Sequence, residues 1–126
     1  MKSIVFTWLF VFSAALFAKD PQLQGRDYLA GGETGKAVER FSAAVDVNPF
    51  DAVALNNLAV AKAVQGDYQG ALALLERAGR LAPSRRDIAA NLAGLKGWLE
   101  GYGDRAPDTP NFGPAPPELP PLWKAP

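Results

Sequence analysis

The sequence predicts an all-α fold, a short array of about two and a half helical hairpins with a signal helix before it and a disordered proline-rich tail after it. Three observations predict it. The chain repeats itself at a fixed offset: Gly32 with Gly66, Ala37 with Ala71, Phe41 with Leu75, Ala44 with Ala78 and Pro49 with Pro83, every pair 34 residues apart. Within the repeat, Leu58, Leu72, Leu75 and Leu81 recur at the spacing of an apolar helix face. The two ends have compositions that a packed helical domain does not use. The expected organisation is a signal peptide over 1–18, a helical domain over 19–101 and a tail over 102–126.

Lys2 precedes an apolar run from Ile4 to Phe17, broken only by Thr7 and Ser13, and small residues Ala14, Ala15 and Ala18 lead into Lys19 and Asp20. This is the layout of a secretory signal peptide. The run is shorter than the roughly 20 residues needed to cross a bilayer, so cleavage is expected rather than permanent anchoring. Cutting after Ala18 removes the whole run, and cutting after Ala15 is the alternative site. The expected location is periplasmic or secreted, with an inner-membrane anchor as the second reading.

The offset of 34 also pairs Asn57 with Asn91, Leu58 with Leu92 and Ala59 with Ala93, which carries the repeat into a third unit. Gly66 suits a helix C-terminus, and Asp67 suits the cap of the next helix. Gly31 and Gly32 end the first helix in the same way, with Thr34 expected to cap the second. Asn48-Pro49 and Ala82-Pro83 end the second helices, because proline disfavours helical geometry in the residue before it. Ser84 and Asp87 have capping-box spacing and are expected to start a last helix from Asp87 to Glu100. Ala71 and Ala78 leave room for close helix approach.

With Leu58-Ala59, Gly66-Asp67-Tyr68, Ala71, Leu75, Ala78 and Pro83 in these positions, the unit Ala52 to Arg85 resembles the tetratricopeptide repeat (TPR) consensus. Leu55 and Lys62 depart from it, where the family favours tryptophan and tyrosine. The resemblance runs from about Gln22 to Gly101. Together with the signal segment it suggests a small exported bacterial member of that family. The resemblance implies that the first helix of each unit lines an inner groove that binds a peptide or protein. Aligned onto this chain, the groove positions are Arg26, Leu29, Asn56, Asn57, Val60, Val64, Asn91 and Trp98, with Ala63, Ala90 and Gly94 beside them. Asn57 and Asn91, one repeat apart, have amides suited to the backbone of an extended peptide. Family members that clamp a C-terminal carboxylate use basic residues where this chain has Asp87 and Asn91, so that mode is not expected. Asn57→Ala is expected to weaken partner binding and to leave the melt nearly unchanged.

Composition argues against the other classes. The chain has no histidine and no cysteine, which removes the commonest proton-transfer and metal-ligating groups. Its serines, Ser3, Ser13, Ser42 and Ser84, lack a nucleophile-elbow setting. Gly31-Gly32-Glu33-Thr34-Gly35-Lys36 imitates a phosphate loop, but the glycine spacing is one residue short and Ala37 stands where a magnesium-holding hydroxyl belongs. No catalytic residue, cofactor or metal site is expected. Thirteen basic and thirteen acidic side chains are interspersed, so nucleic acid is not an expected partner and the membrane enters only through an uncleaved signal.

Eight of the eleven prolines follow Gly101, and Pro114 to Trp123 has polyproline character. Leu119, Leu122 and Trp123 are apolar anchors that a solvating tail does not need. They are expected to be ordered on a partner or in a neighbouring copy's groove, and mobile in the isolated chain. The function expected from all this is an exported interaction scaffold that helps assemble a cell-envelope complex. Its rivals are an obligate structural accessory subunit and a membrane-anchored adapter, and an array this short makes self-association plausible.

Overall fold

The computed structural model describes residues 19–102 and 118–125. The expected signal peptide and the segment 103–117 lie outside the described residues. Among those residues there are five helices and no strand: α1 (Pro21–Ala30), α2 (Thr34–Val47), α3 (Ala52–Val64), α4 (Tyr68–Leu81) and α5 (Arg86–Tyr102). Each helix packs on its neighbours in sequence, and α1 also reaches α3. Two hairpins, α1/α2 and α3/α4, are thus followed by a lone first helix, α5.

The hairpin turns are equivalent one repeat apart. Gly32 and Gly66 adopt left-handed backbone with φ of 77° and 90°, which other residues adopt only at a cost. In the first turn the Glu33 N–H donates to the Tyr28 carbonyl at 2.8 Å, and the Gly32 N–H to Leu29 at 3.2 Å. In the second the Asp67 N–H reaches Lys62 at 2.9 Å and the Gly66 N–H reaches Ala63 at 3.0 Å. Both are Schellman caps, which satisfy carbonyls that would otherwise be orphaned at a helix end. Pro49 and Pro83 act as expected, holding Asn48 and Ala82 at φ of −138° and −136°, outside helical geometry.

Three details differ from expectation. Thr34 is the first residue of α2, and Glu33 takes the cap position without a side-chain cap bond. Leu81 is 40% exposed at the end of α4, and the apolar face is completed instead by Leu55 and Ile88, packed on Ala78. Asp87 is gripped by Arg85, whose Nε and Nη2 donate to its carboxylate at 3.0 and 2.5 Å, in place of the expected capping box.

Asp67 caps α4: its Oδ1 accepts the Gly70 N–H at 2.9 Å and its Oδ2 accepts Lys62 Nζ at 3.0 Å. The Lys62 hydrogen bond, and after it the Gly70 N–H, hold this carboxyl below the usual aspartate range. A depressed folded-state pKa means that the stabilisation is complete above the unfolded value and disappears as pH falls through the folded one. Asp67→Ala should therefore cost about 0.5–2 kcal/mol at pH 7, as lost helix caps do. The gap between urea melts of the parent and the variant should narrow as pH falls below the usual aspartate range, and a gap that does not narrow would show that the effect is not the carboxylate's.

Ala37, Ala71 and Ala78 are fully buried where helices meet. Ala71→Leu or Ala78→Leu should cost about 1–3 kcal/mol by overpacking, read as a shift in the urea midpoint at constant slope.

Candidate functional site

The site is built by α1, α3 and α5, and it is occupied. Residues 118–125 of the chain's own tail cross these three helices outside any regular secondary structure. At α5, Asn91 pairs with Trp123 by main chain alone: its Oδ1 accepts the Trp123 N–H at 2.5 Å and its Nδ2 donates to the Trp123 carbonyl at 2.7 Å. At α3, Asn56 Nδ2 donates to the same carbonyl at 3.2 Å and Asn56 Oδ1 accepts from Asn91 at 2.8 Å. Two residues further on, Asn57 Oδ1 accepts the Ala125 N–H at 3.1 Å, and at α1 Arg26 Nη1 donates to the Ala125 carbonyl at 3.4 Å.

The spacing of these contacts follows from extended backbone. Alternate residues turn their N–H and C=O to the same side, so Trp123 and Ala125 face the asparagines and Lys124 does not. The supply of amides follows from the repeat. Asn57 and Asn91 are equivalent positions of successive units, and Asn56 precedes Asn57 on the same helix turn. Each asparagine offers both a donor and an acceptor, which is what a peptide unit needs.

An outer set of polar groups holds the asparagines in place. Asn57 Nδ2 donates to Gln22 Oε1 at 3.1 Å, and Gln22 Nε2 donates to Asp51 Oδ2 at 3.0 Å. Asp51 Oδ1 meanwhile caps α3, accepting the Val53 and Ala54 N–H groups at 2.9 and 3.2 Å. Asn56, Asn57 and Asn91 are at most 1% exposed. Among the described residues no buried side-chain polar atom lacks a partner, as burial of amides requires.

The apolar half of the contact lies alongside. Leu122 packs against the cluster of Leu29, Phe41, Leu58 and Val60 and also against the cluster of Ala63, Leu75 and Leu95. Leu119 packs on the second of these. Pro120 passes over Gly94, where a side-chain carbon would lie 3.7 Å from its ring. Between tail and helices remains a cleft of about 290 Å³ lined by Val60, Val64, Tyr68 and residues 119–122.

The structure therefore gathers Arg26, Asn56, Asn57, Asn91, Val60 and Leu29 around the tail, with Val64, 57% exposed, at the rim. Trp98 is 9% exposed on α5. It packs between Tyr68, at 4.6 Å between centroids, and Tyr102, at 6.2 Å. The tail reading is corrected in two ways. Over 118–125 the segment is seated in its own domain, whereas a tail without a fixed place was expected. Trp123, expected as an anchor, is 66% exposed as a residue and is held through its main chain. Ala125, which the sequence did not single out, is 1% exposed and takes the buried place. Gln22 and Asp51 are further residues that sequence reasoning missed.

No group of three or more acidic side chains among the described residues is arranged to hold a metal ion. No helix among them is long and apolar enough to cross a membrane.

Known proteins resemble this one in the same repeat. The chain is 39% identical to human tetratricopeptide repeat protein 36 over 92 residues, which is 71% of this chain and 49% of that protein. It is 36% identical to the mouse counterpart over 91 residues, 72% of this chain and again 49% of the relative. It thus spans about half the length of these relatives. A segment of mouse protein O-mannosyl-transferase TMTC1 is 36% identical over 85 residues, 68% of this chain and 8% of that protein. No solved structure matches it. The tetratricopeptide repeat profile matches residues 23–86, the span that holds both glycine turns and all but the first two residues of the two hairpins, and the chain belongs to that family.

Proposed function

We propose that the protein is an exported adapter without catalytic activity, whose groove holds an extended segment of a protein partner and which helps to assemble a complex of the cell envelope. Tetratricopeptide proteins in general mediate protein–protein contacts and are non-catalytic scaffolds. One observation carries the reading for this chain: Asn56, Asn57 and Asn91 bind an extended backbone through its N–H and C=O groups. Backbone recognition supplies affinity, while the apolar floor supplies selectivity. A photoreactive residue at Val64, on the groove's rim, tests it in intact cells. An adduct with an envelope protein that disappears in an Asn57→Ala, Asn91→Ala variant supports the reading. An adduct that ignores both asparagines overturns it.

A second reading, an obligate accessory subunit, is favoured by a different observation. The groove is already filled, and Val47 and Phe50 stand 83% and 74% exposed at the turn between α2 and α3. Co-purification in fixed stoichiometry, insensitive to the asparagine substitutions, would select it.

Export rests on the apolar run Ile4 to Phe17 and the small residues after it. The exported protein is expected to begin at Lys19, and its intact mass checks this. Recovery of the full-length chain solely in the membrane fraction replaces cleavage with anchoring.

A further inference from the structure

The occupant of the groove describes what the groove accepts. Leu119 and Leu122 sit on the apolar clusters, with Pro120 and Pro121 between them. None of the groove bonds described above uses an N–H at either proline, so the absent donor costs nothing there. Trp123 gives the groove its main chain and is 66% exposed as a residue, and Lys124 is exposed too. Ala125 is 1% exposed, with its N–H on Asn57 and its carbonyl on Arg26, so only a small side chain fits there. Direction is fixed as well, because the segment runs from α5 to α1.

We propose that residues 118–125 are a built-in stand-in for the partner, and that the groove's external ligand is a protein segment of the pattern apolar-Pro-Pro-apolar, two unrestricted residues, then alanine or glycine. The proposal rests on the groove reading above and adds the occupant's chemistry and the way in: the incoming segment displaces the tail. The tail is joined to α5 through residues 103–117, a tether short enough to give an effective concentration on the order of millimolar. The apparent affinity of an external segment is reduced by the fraction of time the groove is closed.

The test uses the full chain and a fluorescent synthetic peptide with the sequence of residues 118–126. Two variants open the tail without altering any helix: Ala125→Leu, too large for its site, and Trp123→Pro, which lacks the N–H that Asn91 accepts. Both are expected to bind the peptide at least about tenfold more tightly than the parent. The Ala125→Leu change placed in the peptide should weaken its binding to an opened chain at least about tenfold. Trp123→Ala in the peptide should change binding less than about twofold, since that residue is mostly exposed.

Equal affinity of the parent and both opened variants overturns the stand-in and leaves the groove reading in place. Tight binding of the Ala125→Leu peptide overturns the pattern alone. Peptide binding to none of the three chains overturns both the inference and the reading it rests on. Sedimentation of the parent as a dimer at micromolar concentration places the tail in a second copy's groove and overturns docking within one chain.

Discussion

Phe41→Ala is expected to remove about 3–5 kcal/mol of stability, the usual cost of emptying a buried aromatic site. The ring is fully buried among Leu29, Ala37, Leu58, Val60 and Ala61, and it lies flush against α1. A side-chain carbon added at Gly25 would stand 2.6 Å from the ring, so glycine is what lets α1 and α2 approach this closely. Domains of this size have about 5–15 kcal/mol in total, so the variant should lose a large share of it. Urea denaturation followed by helical circular dichroism reads the loss. Gly25→Ala should be destabilising by the opposite cause, overpacking, and the pair should couple: Phe41→Leu in a Gly25→Ala background is expected to cost less than it does alone. Strict additivity of the two would show that the close approach is not a feature of the folded chain.

Asn91→Ala is expected to release the tail. It deletes both bonds to Trp123 and the donor to Asn56, and buried groups left without partners cost about 1–3 kcal/mol. The tail's option of leaving the groove limits the loss, because water then reaches Asn56 and Asn57. Hydrogen exchange therefore reports the change better than the melt does. Protection of the Trp123 and Ala125 amides should fall together by at least about tenfold, while the amides of α3 and α4 keep theirs. Loss at Trp123 with full protection at Ala125 would show two independent contacts instead of one docked segment. Asn57→Ala, which by sequence should leave the melt unchanged, is now expected to destabilise as well, since Asn57 is 1% exposed and ties Gln22 to the tail.

The helical hairpins were legible because the constraints that make them act at a fixed period. A left-handed glycine is needed at each hairpin turn, a small residue at each close crossing and a proline after each second helix. Gly32 and Gly66, Ala37 and Ala71, and Pro49 and Pro83 therefore align by inspection. Asn57 and Asn91 were legible for the same reason. Gln22 and Asp51 were not, because neither repeats: Gln22 acts through Asn57, and Asp51 reads equally well as an ordinary helix cap. Weighed as a side chain seeking burial, Trp123 makes docking on its own domain close to neutral against the cost of ordering the backbone. Amide-to-backbone bonds at Trp123 and Ala125 also hold the tail, with Leu122 packed on two clusters and prolines that restrict the free chain as well. A residue recognised by its main chain leaves no mark in side-chain periodicity, and for that reason Ala125 passed unnoticed.

The path of residues 118–125 also bears on how the array comes apart. In repeat proteins each unit leans on its neighbours alone, so unfolding proceeds piecemeal from whichever end frays first. Here a single strap is bonded to the first, third and last helices at Arg26, Asn56, Asn57 and Asn91. Opening α1 or α5 means letting go of the strap, and letting go of the strap exposes the other end. A chain of local equilibria becomes a closed ring of them, and a short array is expected to unfold in the concerted, all-or-none manner of a globular domain.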